Sequence, residues 1–271
     1  MAINVPAALR APLRALDGRL RRAVARLLNR RVAAYELKVP NDMARLHRHV
    51  RRGDVVLVEG ELRISEFVKY VTQSQWSHSA LYVGDALLRR DGRLREQALA
   101  SFGDQADRLL IEALTDEGVV AAPLAKYQRH NIRVCRPYGI DPEDLDRVID
   151  SVLADLGKQY DSRNFLDLTL MLLSPIKFGP LKKRTLETCL GNCTDLQVIC
   201  SGMIAKAFHK VGYPILPRPD LDPALRHYSQ VLPRDFDLSP NFQIIKFNMI
   251  EDGDFAYERR PPTSSSPPAG G

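Results

Sequence analysis

"GDVVLVEGELRISEFVKYVTQSQWSHSALYVGD", residues 53–85, contains two runs rich in β-branched and aromatic residues, 54–60 and 78–85. Such runs, bounded by turn or polar residues, read as strands. Working outward, "RLLIEAL" (108–114), "GVVAAPL" (118–124) and "NIRVCRP" (131–137) repeat the pattern at spacings that favour an antiparallel sheet, and "NFQIIKFN" (241–248) is a last strand candidate. Helical signals then break in. In 141–160, Asp141 offers an N-cap and Pro142 a first helical residue, while Leu145, Val148, Ile149, Val152, Leu153 and Leu156 form one apolar face. Residues 164–190 read as one or two helices broken by Pro175 and Pro180. A helix beginning near Cys200 has Ile204, Phe208 and Val211 facing inward and ends at Gly212. Strands first and helices later, in one chain, predict an α+β fold: an antiparallel sheet packed against helices.

Cys200 raises the chemical question. It lies in "VICSGMIAKAFHKVGYPI" (198–215), at a helix start rather than within an apolar stripe. Unpaired N–H groups and the helix dipole favour negative charge there, and a thiol so placed loses its proton more readily. A nucleophilic thiolate also needs a histidine. His47 and His49 fall in a basic helical stretch and are expected to be exposed; His130 lies in a turn, His209 on the wrong side of the cysteine helix and His227 in a proline-rich loop. His78 remains, at the mouth of a strand. On spacing alone a strand histidine is more often structural than catalytic. Glu112 is the one acid inside the apolar run "LLIEAL", where an unpartnered charge would be costly. It orients His78, or it is a sheet-edge glutamate that reaches solvent. Glu59 and Asp85 are rival acids nearer strand ends.

Other chemistries find less support. Cys189, Cys193 and Cys200 are spaced C-x3-C-x6-C, without the C-x2-C knuckle of a zinc site, so no metal is expected even with His209 nearby. The sequence lacks G-x-S-x-G and G-x4-G-K-S/T, and no cofactor is expected. Four cysteines in 271 residues fit reduced thiols in a cytoplasmic setting rather than a disulfide framework. No secretory signal is evident, and the greasy stretch near 164–181 is interrupted by Asp167, Pro175 and Lys177.

The net charge of +6 is confined to one end. Residues 1–35 carry eight arginines and one acid, leaving 31 basic against 32 acidic residues elsewhere. Nucleic-acid binding would therefore rest on this arm alone and is not expected. Leu13, Leu16, Leu20, Val24 and Leu27 form a helical stripe, with Arg14, Arg21, Arg22 and Arg26 on the remaining surface. The arm either packs on the domain or a partner, or docks on anionic membrane through those arginines; an organelle transit peptide is a lesser reading. "RRPPTSSSPPAGG" (259–271) has the composition of a disordered tail.

The 53–85 segment, with "LIEAL…GVV", "GKQYD" (157–161), "VICSGMIAKAF" and "PRDFDLSP" (233–240), resembles the YiiX/YebB-like hydrolases, a branch of the circularly permuted NlpC-type, papain-like cysteine hydrolases. In that group the histidine strand and the acid precede the cysteine helix. The resemblance spans about 53–250 and implies Cys200 as nucleophile, His78 as base and Glu112 as the residue orienting it. The chain then divides into an arm (1–40), a hydrolase domain (41–258) and the tail. Residues 162–192 are an insertion that could act as a lid, and "PRDFDLSP" is expected to pack the last strand, with Arg234 and Asp235 pairing or capping a turn. The implied activity is hydrolysis or acyl transfer on an amide or ester through a cysteine thioester. Its substrate would be a peptide, a peptidoglycan fragment or a lipid, and its location cytoplasmic or peripheral on a membrane. A papain-like scaffold that binds lipid or peptide without turnover is the alternative.

Overall fold

The computed structural model describes residues 30, 40–90, 92–114, 117–159, 199–216 and 231–247. The expected helices of the arm and of 164–190, the insertion, the tail, Cys189, Cys193 and His227 lie outside them.

The strands are β1 (Val55–Val58), β2 (His78–Gly84), β3 (Leu109–Leu114), β4 (Gly118–Pro123), β5 (Ile132–Pro137) and β6 (Phe242–Ile245). They form one sheet in the order β4-β3-β2-β1-β5-β6, and every pairing is antiparallel. All six match runs expected to be strands. The β1–β2 register sets Val55 opposite Leu81 and Val58 opposite His78. On the other side of β1, Val55 faces Cys135 of β5.

Helices α1 (Met43–His49), α2 (Arg63–Thr72), α3 (Arg93–Phe102), α4 (Pro142–Leu153), α5 (Ile199–Lys210) and α6 (Pro233–Leu238), with the 3-10 turns Gly103–Gln105 and Leu124–Tyr127, complete the described elements. Both faces of the sheet are covered, which explains why β1 is buried at every position rather than alternating. On one face Val55, Leu57, Leu81, Val83, Leu109 and Ile111 meet Val148, Ile149 and Val152 of α4 and Ile204 and Phe208 of α5. On the other, Val56, Ala80, Tyr82, Leu110 and Val134 meet Leu46 of α1 and the turn residues Leu124 and Tyr127. Each such aliphatic side chain removed from water stabilises the fold by about 1.5–3 kcal/mol.

Two local features fix where the chain turns. Gly53 adopts φ +87°, and its N–H donates to the Tyr82 carbonyl. Buried Asp54 follows, accepting from the Arg51 N–H and, through both oxygens, from Arg136 of β5 at 2.8 and 2.7 Å. Helix α4 starts after Asp141 with Pro142 at its head, as expected, but Asp141 makes no side-chain cap and the helix ends at Leu153, not near 160. Residues 154–158 instead fold back on β4: the Gly157 N–H donates to Val119 O and the Val119 N–H to Lys158 O. Left-handed Gly157 permits that exit, and Gly118 leaves room for the Lys158 carbonyl, which would lie 2.3 Å from any Cβ there. The stretch "PRDFDLSP" forms α6, where Asp235 accepts from the Leu232 N–H and Phe236 meets Phe242 of β6 edge-on.

Candidate active site

The entry to β2 is held from three sides. The Ser77 N–H donates to Val58 O, the Ser77 hydroxyl accepts from the Gly60 N–H, and the Trp76 indole donates to Asp237 at 3.1 Å. Arg133 of β5 pairs with the same Asp237 and lies over the Trp76 ring. His78, the first residue of β2, is therefore placed by anchored backbone.

Period-two alternation carries His78, Ala80 and Tyr82 to one face of β2. Tyr82 pairs with Leu110, so Glu112, two residues along β3, shares that face and comes within reach of the ring. His78 Nε2 donates to Glu112 Oε2 at 2.7 Å. This leaves Nδ1 for the thiol. Cys200, in the first turn of α5, forms a hydrogen-bonded charge pair with His78, because α5 packs its start beside this end of the sheet. The three residues singled out in the sequence are joined in series, sulfur to imidazole to carboxylate.

The electrostatics follow from burial opposed by pairing. Burial disfavours the His78 imidazolium, but the Cys200 sulfur and then Glu112, each through charge and hydrogen bond, outweigh it and raise the ring to about 10. Burial likewise pushes the Cys200 thiol up. The His78 cation, with the Ser79 N–H and hydroxyl, overcomes that and brings it below its ordinary value. Ser79 is fully buried beside the thiol that it helps to lower. Glu112 is 0% exposed; burial would raise it, yet His78 and Lys126 hold it at about 2. Cys135 is the contrast: burial, with no cation strong enough to offset it, sends that thiol to about 12. Cys200 itself is 4% exposed, whereas the His78 side chain keeps 18% of its surface open and marks the side on which solvent reaches the pair.

The sequence reading missed how Glu112 is supported. Lys126 donates to Oε1 at 2.5 Å and the Tyr127 hydroxyl to Oε2. The cue was present in "LAKYQRH" (124–130), which places a cation and a phenol just after the strand that pairs with Glu112. The rival acids are engaged elsewhere: Glu59 with Lys69 and Asn131, Asp85 with Arg89. Of the other histidines, His49 is exposed beside the Arg45 carbonyl, His209 lies exposed in the last turn of α5, and His130 meets Tyr127 edge-on. His47 departs from expectation. It is half-buried with Nε2 enclosed, because α1 lies on the sheet through Leu46 and carries its neighbour inward. Among the described residues no three His, Cys, Asp or Glu side chains converge as a metal site, and no helix is long and apolar enough to cross a membrane.

Residues 49–167 match the family model described as permuted papain-like amidase enzyme, YaeF/YiiX, C92 family. Among solved structures the chain is similar to the metalloprotein YiiX from Escherichia coli O157:H7, at 15% identity and a TM-score of 0.43, over 73% of this chain and 98% of that one. No curated protein matches. The matched segment contains His78 and Glu112 and stops before Cys200. The family that the 53–85 stretch resembles is thus the one whose model residues 49–167 match, that of the permuted papain-like amidases.

Proposed function

We propose that the protein is a cysteine amidase in which Cys200 is the nucleophile, His78 the general acid and base, and Glu112 the group that orients His78. One observation carries the reading: a buried cysteine, a half-buried histidine and a buried carboxylate, hydrogen-bonded in series and biased toward the ionised thiolate. The Cys200 thiolate attacks the amide carbonyl, forming the C–S bond and a tetrahedral oxyanion. Backbone N–H groups at the start of α5 are suited to that charge. The His78 imidazolium gives its proton to the leaving nitrogen as the C–N bond breaks. Water then attacks the thioester, His78 takes its proton, and the thiolate departs. Glu112 keeps Nε2 protonated throughout, so that Nδ1 always faces the sulfur.

A scaffold that binds without turnover has no use for this arrangement, since burying ionised groups is costly unless they are paired and put to use. Amide rather than ester cleavage follows the family description. The test is the pH dependence of iodoacetamide alkylation, mapped by peptide, in wild type and His78→Ala. Cys200 is expected to react well below the ~8.5 pKa of a free thiol, to lose that advantage in the variant, and to outpace Cys135 throughout. Alkylation of Cys200 that ignores His78 sinks the reading.

A further inference from the structure

Glu112 is more heavily engaged than orientation of His78 requires. Its Oε2 accepts from His78 Nε2 and from the Tyr127 hydroxyl, and its Oε1 accepts from Lys126 Nζ. Lys126 and Tyr127 are neighbours in the single 3-10 turn Leu124–Tyr127 that follows β4. That turn is clamped. The Leu124 N–H donates to Arg108 O, and the Asn41 amide donates to the carbonyls of Tyr127, Gln128 and His130 at 3.0, 3.2 and 2.7 Å. Two donors are thus delivered to the carboxylate by backbone that has little freedom to withdraw them.

The charges alternate along the line: thiolate, imidazolium, carboxylate, ammonium. A lone buried carboxylate 2.7 Å from the ring would hold the imidazolium proton hard, leaving a poor acid for the departing amine. Lys126 divides the carboxylate's charge between two cations, and the Tyr127 hydroxyl takes up acceptor capacity on the oxygen that His78 uses. Burial and the charge of Glu112 push Tyr127 far above the ordinary phenol range, so it stays a donor.

We infer that Lys126 and Tyr127 are positioning residues that act through Glu112 to set how readily His78 releases its proton. This rests on the acid–base role given to His78 above. Among the described residues, the groups facing the His78 ring are Cys200 from α5, Glu112 from β3 and the Tyr127 ring at 6.2 Å, and β1 presents Val58 opposite it. Lys126 reaches it through Glu112 and, with 38% of its side chain exposed, can be exchanged without opening the core.

The deciding measurement is an NMR titration of the His78 ring in full-length wild type, Lys126→Met, Lys126→Arg and Tyr127→Phe, with Cys200 alkylation followed on the same samples. Lys126→Met is expected to move the loss of the His78 proton to higher pH by about half a unit or more, because a neighbouring cation is gone and the carboxylate charge is no longer shared. Lys126→Arg restores the wild-type value. Tyr127→Phe, which keeps the ring shape and guards against a misfolded Met variant, shifts it less but in the same direction. A wild-type titration in both Lys126→Met and Tyr127→Phe, with circular dichroism showing them folded, overturns the inference. If instead His78 shifts as expected while wild-type Cys200 alkylation proves independent of His78, the tuning stands and the amidase reading falls.

Discussion

At the residue scale, Glu112 is where charge, burial and chemistry meet, and two consequences can be measured there. Replacing it by Gln removes the charge and the acceptor that favour the imidazolium, so the alkaline limb of Cys200 reactivity should move below the His78 value of about 10, opposite to the Lys126→Met shift. A turnover assay, once an amide substrate is found, should show a loss on the order of 10²–10⁴-fold, the usual worth of positioned acid–base catalysis. The second consequence is in stability. Glu112 is depressed from an ordinary 4.5 to about 2, so its contribution is complete above about pH 4.5 and is lost as pH falls through 2. Glu112→Gln should flatten that acid-side slope when urea midpoints are compared between those values. His78, Glu112 and Cys200 could be singled out because each breaks its local pattern (a histidine at a strand mouth, a charge in an apolar run, a thiol at a helix start), but it took the family resemblance to join them into one set. Lys126, Tyr127 and Ser79 break none, and their roles arise only from pairing across the sheet.

At the scale of elements, the strands were readable and the helices less so. Runs such as "DVVLVEG" announce buried strands by β-branched content alone. Helix α2 carries Ile64, Phe67, Val68 and Val71 at i, i+3, i+4 and i+7, a signal that was present but hidden between two stronger strand runs. The early end of α4 was invisible, since 154–158 leave the helix only because β4 offers them backbone partners. That junction yields a prediction. Gly118→Ala combines a left-handed backbone with a steric clash against the Lys158 carbonyl and should cost about 1–3 kcal/mol in urea unfolding. Gly139→Ala, at φ +70° with no heavy atom within 4 Å of the added methyl, isolates the backbone penalty and should cost about 1–2 kcal/mol. Equal losses would remove the steric part of the explanation. Arg136→Met would leave the buried Asp54 charge without its cation, holding only the Arg51 N–H, and should cost about 3–5 kcal/mol.

At the scale of the whole molecule, the basic arm of 1–40 is the feature whose role the amidase reading does not absorb. Of its two readings, packing on the domain or a partner and docking on anionic lipid, the second can be tested directly. Full-length protein should sediment with phosphatidylserine-containing vesicles and a chain lacking residues 1–40 should not; equal sedimentation would end the membrane reading of the arm. The permuted order has its own consequence, for synthesis. Strands β1–β5, with the Lys126 and Tyr127 donors only 14 and 15 residues from Glu112, are complete before Cys200 is made. A ribosome adding about 5–20 residues per second delivers the cysteine some seconds after the sheet can fold. The nascent chain therefore carries His78, Glu112 and their donors first, and Cys200 gains the His78 cation that lowers its thiol only when α5 docks, so the sulfur is the last member to join a relay whose other parts are already in place.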